Sequence, residues 1–287
     1  MIITRGLLDA MAVAHRDKCE VLFEKIRAII VTMAKETKLT DNEEINQTEK
    51  NNKVILFTEI LTKILNPKFD AKVSSVYRSA FFFVIKSLKE DKDFKKLVRS
   101  SYKELLKCYL QKRASNTLTL DFFHNAFNAD LEFSYSFFKF LLKCSLPISK
   151  HKNPKTGELE NKGARTVKQR FLAIDLLMFL LKRTRHSNDD ALITKLGSNF
   201  DLLSQCCVTI LEDIKTIKHK VKNAAKIVSL FINAGNCLKY SARKAEYAEL
   251  VNEHGTQIVS VLQTLVKDKE FTQLKASIKH LQKLIAL

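Results

Sequence analysis

Apolar residues recur with the period of an α-helix along nearly the whole of this 287-residue chain. Only six glycines and three prolines interrupt that pattern, whereas turn-rich β folds need both residues at their corners. The sequence therefore predicts an all-α protein. The spacing i, i+3, i+4 is clearest over one apolar stripe: Phe94, Leu97, Val98, Tyr102, Leu105, Leu106 and Tyr109.

Helices of this kind, joined by short turns, form antiparallel pairs. Pairs that recur about every 40 to 50 residues are typical of an irregular HEAT- or armadillo-like α-solenoid, which we predict over residues 1–287. An irregular helical bundle is the alternative, because no sequence motif repeats. We place the helices near residues 5–37, 53–65, 71–89, 93–113, 119–128, 131–145, 165–184, 189–196, 199–218, 220–238, 242–265 and 268–286.

Two polar segments interrupt the helical pattern. Residues 38–52 mix both charges and predict a polar linker. Residues 146–164 hold two of the three prolines and two of the six glycines, and long loops of this composition are usually functional or disordered. We predict a mobile basic loop there.

Local signals place several helix ends and close contacts. Thr119, Asn199 and the pair Asp189-Asp190 stand where a helix N-terminus needs a capping side chain. Gly235 and Gly255 fall inside helical patterns, where glycine costs about 1 kcal/mol relative to alanine. Both glycines therefore mark bends or close contacts between helices.

Aromatic and cysteine side chains are expected in the core. The six cysteines form no C-x-x-C pair and lie within apolar patterns, so we predict reduced, buried thiols. A dense aromatic group has the composition of a base-stacking surface, but its helical spacing and low charge favour core packing. This group contains Phe122, Phe123, Phe127, Phe133, Tyr135, Phe137, Phe138 and Phe140.

The formal net charge of +18 bears on partners more than on fold. Residues 95–113 contain seven Lys/Arg and one acid, residues 150–185 ten and three, and residues 214–245 eight and none. Such stripes suit a phosphate backbone, with an acidic protein segment or a merely solvated surface as alternatives. The candidate binding residues are Lys95, Lys96, Arg99, Lys103, Lys107, Lys150, Lys152, Lys155, Arg165, Lys168, Lys182, Arg183, Arg185, Lys218, Lys222 and Lys226.

Signals of catalysis are missing from the sequence. It has no P-loop, G-x-G-x-x-G, G-x-S-x-G or H-E-x-x-H motif, and no two histidines are four residues apart. We therefore predict a protein that is not an enzyme, with no cofactor, no metal site and no small-molecule substrate. A catalytic site assembled only in three dimensions is the remaining alternative. Neither a secretory signal nor a membrane-spanning segment is expected.

One resemblance to a known family rests on residues 97–123. Leu97-Val98-Arg99-Ser100-Ser101-Tyr102, Tyr109 to Thr119 and Phe122-Phe123 are similar to the C-terminal part of the Myb-binding protein 1A family, which includes the fungal protein called DNA polymerase V or polymerase phi. The preceding segment Tyr77 to Leu88 and the helix Gln169 to Arg183 fit the same pattern, so the resemblance covers roughly residues 50–240.

The resemblance implies a helical-repeat scaffold of the nucleus and nucleolus that takes part in transcription of ribosomal RNA genes, transcription regulation and ribosome biogenesis. Members of this family are typically much longer, so the chain is expected to be a fragment. Its partners would be ribosomal DNA or RNA, or proteins of transcription and ribosome assembly, with no membrane. We expect DNA or DNA-bound factors to bind the basic helix faces. The alternative is a protein-interaction solenoid that binds acidic peptides without touching nucleic acid.

Overall fold

The computed structural model describes residues 2–36, 47–65, 76–82, 92–110, 118–147, 151–152, 159–160, 166–187 and 189–285. These residues are helical apart from short links and one two-stranded ribbon, which confirms the all-α prediction. The chain divides into two compact units, Met1–Asp130 and Leu131–Leu287.

The first unit begins with a helical hairpin. Helix α1 (Ile2–Arg16) packs against α2 (Glu20–Glu36), and Lys18 between them has a φ of 57°. The single helix predicted over 5–37 is therefore wrong. The chain reverses at a lysine in the left-handed region, which residues other than glycine rarely occupy.

An aromatic core joins the other helices that the structure describes in the first unit. They are α3 (Gln47–Leu65), the helical segment 76–82 labelled α4, α5 (Lys92–Leu110) and α6 (Leu120–Ala129). The ring of Phe81 on α4 lies 5.6 Å from Phe57, 6.3 Å from Tyr102 and 5.5 Å from Phe122, centroid to centroid. One ring of α4 therefore contacts α3, α5 and α6, and such aromatic pairs add to the free energy gained by burial.

The second unit contains eight α-helices among its described residues, with 3₁₀ turns at Asp213–Thr216 and Lys269–Leu274. Strands β1 (His151–Lys152) and β2 (Leu159–Glu160) pair antiparallel, with His151 opposite Glu160. The helices are α7 (Leu131–Tyr135), α8 (Phe138–Ser145), α9 (Val167–Ser187), α10 (Asp190–Gly197), α11 (Phe200–Glu212), α12 (Lys220–Lys239), α13 (Lys244–Leu265) and α14 (Lys275–Ile285).

Six of these helices form two layers. Helices α9, α12 and α14 pack side by side in one layer, and α8, α11 and α13 pack side by side in the other. Across the layers, α8 packs on α9, α11 on α12 and α13 on α14. Leu176, Leu177, Leu180 and Leu181 of α9 are fully buried, as expected for a helix with neighbours on several sides.

Buried aromatic side chains confirm the core interpretation of the Phe-rich segment. Phe122, Phe123, Phe127, Phe133, Tyr135, Phe137 and Phe138 are buried, and Phe140 is half-buried. Tyr135 on α7 accepts a hydrogen bond from the buried hydroxyl of Thr184 on α9, at 2.8 Å. The segment predicted as one helix over 131–145 is broken at residues 136 and 137, where α7 ends and α8 begins.

The bounds predicted for the two polar segments and for two helices differ from those in the structure or fall partly outside the described residues. Helix α3 begins at Gln47, so the last six residues of the predicted linker 38–52 are helical, and its remaining residues 38–46 lie outside the described residues. Of the predicted loop 146–164, residues 148–150, 153–158 and 161–164 also lie outside them. The helices predicted over 199–218 and 268–286 each include a 3₁₀ turn.

Two of the three predicted caps are confirmed. The Thr119 hydroxyl accepts a hydrogen bond from the Phe122 amide at 3.3 Å, and the Asp189 carboxylate accepts from the amides of Ala191 and Leu192. Asn199 is not a side-chain cap. Its amide group donates backwards to the Lys195 carbonyl oxygen, which leaves the α11 amides without this partner.

Close helix contacts explain both glycines of the helical pattern. A Cβ atom at Gly235 on α12 would lie 2.7 Å from Leu284 Cδ2 of α14, and one at Gly255 on α13 would collide with Ile285. The absence of a side chain therefore lets α14 approach its two neighbours.

None of the six cysteines forms a disulfide bond, and they differ in how far their side chains are buried. Cys144, Cys206, Cys207 and Cys237 are buried as predicted, whereas Cys108 is half-buried and Cys19 is exposed. Burial raises the pKa of the Cys206 thiol to about 11 and that of Cys237 to about 12. These thiols stay neutral near pH 7, so they are poor nucleophiles.

We expect iodoacetamide to alkylate Cys19 in the native protein and to leave Cys207 unmodified. The rate at Cys207 should be more than about a hundredfold lower, because reaction there requires local opening. Quantitative mass spectrometry of the labelled peptides measures both rates, and labelling in urea is the control for intrinsic reactivity. Equal rates in the native protein would contradict the buried position of Cys207.

Candidate nucleic-acid interface

Helices α9 and α12 run in the same direction. Asp175 Oδ1 on α9 lies 2.5 Å from Lys226 Nζ on α12. Six residues later on α9 and eleven residues later on α12, the Leu181 carbonyl accepts a hydrogen bond from Cys237 Sγ at 3.3 Å. Matching positions thus advance together along both helices. Their C-terminal ends consequently meet at one edge of the two-layer unit, which we call the basic edge: residues 182–187 and residues 239–244.

Helix α14 has the same direction as α12. The ammonium group of Lys220, in the first turn of α12, lies 2.7 Å from Glu270 just before α14, and Lys239 at the other end donates to the Leu284 carbonyl at 2.7 Å. Burial lowers the pKa of Lys239. This lysine therefore acts as a C-terminal cap for α14 and fixes the start of the 239–244 link.

Three cations of the basic edge have no counter-ion among the described residues. Lys182, Arg183 and Arg185 are exposed on the last turns of α9, and none of them forms an ion pair there. Their position at a helix C-terminus is electrostatically favourable, at about 0.3–1 kcal/mol each. That interaction leaves their hydrogen-bond donors free for a ligand in solvent.

An exposed tyrosine lies beside these cations. Tyr240 is 62% exposed, and it is the one exposed Phe or Tyr side chain among the residues whose burial the structure describes. The Arg185 guanidinium carbon lies 5.9 Å from the centroid of its ring. An accessible ring next to a guanidinium group is the arrangement that attracts both stacking partners and anions.

Two clefts open at the basic edge. One, of about 470 Å³, is lined by Arg185, Asp190, Asn236 and Tyr240. The other, of about 690 Å³, is lined by Tyr240, Ser241 and Lys244. Both volumes are in the range of clefts that hold small organic groups. Tyr240 belongs to the wall of both clefts.

A second basic cluster lies at the opposite edge, where α12 begins. Lys218, Lys220 and Lys222 line a cleft of about 510 Å³ together with Glu270. Lys220 is paired with that glutamate, whereas Lys218 and Lys222 are exposed and form no ion pair with a described residue. This edge therefore combines free and neutralised cations.

The candidate cations of the first unit form one stripe on α5. Lys95, Arg99, Lys103 and Lys107 are spaced four residues apart, with Lys96 beside them, so their side chains share one helix face. The Lys107 ammonium lies 2.6 Å from the Glu104 carboxylate, so its charge is partly neutralised.

The remaining candidates are placed less favourably or lie outside the described side chains. Lys226 is paired with Asp175 and half-buried, so it is a poor ligand for an external anion. Lys168 is exposed in the first turn of α9. The side chain of Lys152 in β1 and the residues Lys150, Lys155 and Arg165 lie outside what the structure describes.

Sequence reasoning missed Tyr240 and the neighbouring Arg243 and Lys244. Tyr240 lies two residues beyond the helix predicted over 220–238, so the apolar period of that helix gave no information on whether its side chain is buried. The only available signal was the polar run Ser241-Ala242-Arg243-Lys244 directly after it. The Arg243 guanidinium pairs with Glu246 and also contacts the Thr194 hydroxyl, so it joins α10 to α13.

Comparison with known proteins finds no protein-family model, no curated protein and no solved structure that matches the chain. Among the described residues, no group of three or more His, Cys, Asp or Glu side chains is arranged to hold a metal ion. No described helix is both long and apolar enough to cross a membrane.

Proposed function

We propose that this chain is a helical-repeat scaffold that binds nucleic acid through phosphate contacts at the basic edge. The observation that carries the proposal is the cluster Lys182, Arg183 and Arg185, three exposed cations without a counter-ion in the described part of the chain. Lysine and arginine contacts to phosphates release condensed counter-ions, which supplies most of the affinity of sequence-independent binding.

The two layers of the second unit support a solenoid architecture as part of this proposal. Three helix pairs follow one another, and each helix packs beside its counterpart in the next pair. In α-solenoids, such stacking gives long surfaces on which equivalent helix ends line up. The C-terminal ends of α9 and α12 line up in this way at the basic edge.

Nucleolar location and a part in ribosomal RNA gene transcription and ribosome biogenesis belong to the proposal through the resemblance to the Myb-binding protein 1A family. That resemblance rests on residues 97–123, which include most of the cationic stripe of α5. A location among ribosomal DNA and nascent RNA would expose every basic stripe of the chain to phosphates.

Replacing Lys182, Arg183 and Arg185 with Gln should reduce the salt dependence of binding to nucleic acid. Each lost phosphate contact lowers the slope of log affinity against log salt by about 0.9 for duplex and about 0.7 for single strands. We therefore expect the slope to fall by about 2 to 3. Fluorescence anisotropy with ribosomal DNA, unrelated duplex and RNA, each across a salt series, measures it.

The matched control replaces Lys267, Lys269 and Lys275 with Gln, because these exposed lysines lie around the start of α14, away from the basic edge, and carry the same total charge. An equal loss of slope in the control would show that binding follows net charge and does not use the basic edge. Absence of binding to any nucleic acid at low salt would overturn the proposal. Binding of an acidic peptide in its place would support the protein-interaction alternative.

A further inference from the structure

We propose that the basic edge binds single-stranded nucleic acid, with one unpaired base stacked on the ring of Tyr240. This inference rests on the proposed function and specifies which nucleic acid the site takes. A surface that held only duplex phosphates would need cations alone. The exposed ring of Tyr240 between two clefts is an additional feature that phosphate contacts do not use.

The chemistry of the exposed ring favours an unpaired base. Tyr240 is 62% exposed, although the neighbouring residues Leu238 and Lys239 of the same helix end are buried. In a duplex both faces of each internal base are covered by neighbouring bases, so an aromatic side chain at the surface finds nothing to stack on. In a single strand every base offers a free face, and stacking on aromatic side chains is the common mode of recognition.

The surrounding charges suit the two phosphates that flank such a base. Arg185 lines one of the two clefts that have Tyr240 in their wall, and Lys244 lines the other. A strand that occupies both clefts thus meets one cation in each, next to the base stacked on Tyr240. Asp190 is the one carboxylate among the described residues that line the first cleft. It lies in the first turn of α10, where the helix dipole partly offsets its charge.

The local structure holds the ring in place without covering it. Lys239, the residue before Tyr240, is anchored to α14 through the Leu284 carbonyl, and Arg243, three residues after it, is anchored to Glu246 and Thr194. The Tyr240 amide donates to the Asn236 carbonyl at 3.1 Å, so the backbone is still part of the helix end. A ring on a fixed backbone loses little conformational freedom when a base stacks on it.

Substitutions of Tyr240 separate stacking from charge. Tyr240→Leu removes the aromatic ring and keeps an apolar side chain, and we expect it to weaken binding to a single-stranded oligonucleotide by about tenfold or more. Tyr240→Phe keeps the ring and should bind within about twofold of the parent protein. Neither change removes a phosphate contact, so the salt slope should be unchanged in both.

Anisotropy measurements use the full chain with RNA and DNA oligonucleotides of one sequence, an abasic DNA strand of equal length and the corresponding duplex. The expected result is preference for both single strands over the duplex and abasic strand, with the preference lost in Tyr240→Leu. Tighter binding of RNA than of DNA of the same sequence would identify RNA as the preferred ligand of this site. Ile29→Ala, which trims an exposed apolar residue of α2, is the control.

Failure of this inference is distinguishable from failure of the proposed function. If single strand, abasic strand and duplex bind equally and Tyr240→Leu has no effect, the stacking inference is wrong while phosphate binding stands. If none of them binds at low salt, both are wrong. Ultraviolet crosslinking to the single-stranded RNA gives a direct readout, and we expect the crosslinked peptide to contain Tyr240.

Discussion

Replacing Asp213 with Asn should lower the free energy of unfolding of the second unit by about 3–5 kcal/mol. Arg170 Nη1 lies 2.9 Å from Asp213 Oδ2, and the arginine side chain is only 5% exposed. Its Nε also donates to the Ser145 carbonyl at 3.1 Å. The substitution leaves a buried guanidinium group without a counter-charge, because no other carboxylate of the described residues is paired with Arg170.

Removing the arginine of this ion pair should cost less free energy of unfolding than removing the carboxylate. Arg170→Met removes the buried charge and keeps much of the volume, and it leaves Asp213, which is 28% exposed, in contact with water. We expect a loss of about 1–3 kcal/mol, chiefly from the unpaired Ser145 carbonyl. Arg170 connects the end of α8, the start of α9 and the turn after α11, so both losses should destabilise all three elements together.

Urea unfolding followed by circular dichroism measures both losses, with hydrogen exchange of α9 amides to assign the transition to this unit. Glu212→Gln is the matched control, because Glu212 is exposed and directly precedes Asp213. Its effect should stay within about 0.5 kcal/mol. A larger loss in Arg170→Met than in Asp213→Asn would contradict the argument that the stranded buried cation causes the cost.

The sequence predicted a helix well where a single apolar stripe packs against one neighbouring helix. It predicted helix ends less well where a helix breaks without a glycine or proline. The polar run His15 to Lys18 between the stripes of α1 and α2 is short enough for the solvent side of one continuous helix and contains no glycine or proline, so the sequence gave no clear sign of the break at Lys18. Asn199 shows the opposite error. Its type suits a cap, but its side chain turns back to the end of α10, where the Lys195 carbonyl accepts hydrogen bonds from Asn199 and from the Ser198 hydroxyl.

The candidate site shows a similar limit. The sequence shows where basic residues are dense, but ion pairs between distant residues decide which of them are free. Lys226 is neutralised by Asp175 from another helix, whereas Arg185, which falls in the same layer, is not. The sequence could not single out Tyr240 either, because the exposure of its side chain depends on how the ends of α9, α12 and α13 pack in three dimensions. Only the fold separates these cases.

Replacing Phe231 with Ala should lower the free energy of unfolding by about 3–5 kcal/mol. Phe231 on α12 is fully buried, and its ring centroid lies 5.2 Å from that of Phe200 on α11. A Cβ atom at Gly255 of α13 would lie 3.7 Å from Phe231 Cε1. The ring therefore fills the space between three helices, and its loss leaves a cavity that backbone shifts of one helix cannot close.

The size of the residual side chain should set the cost of changing Phe231. Phe231→Leu keeps part of the volume and should cost less than Phe231→Ala, while Ser229→Ala on the exposed side of α12 should have almost no effect. Urea unfolding of the three variants gives the order. A loss below about 1 kcal/mol in Phe231→Ala would mean that the cavity refills, as happens where helices repack freely. In that case α11, α12 and α13 would not share one well-packed core, and the alignment of helix ends at the basic edge would lack its structural support.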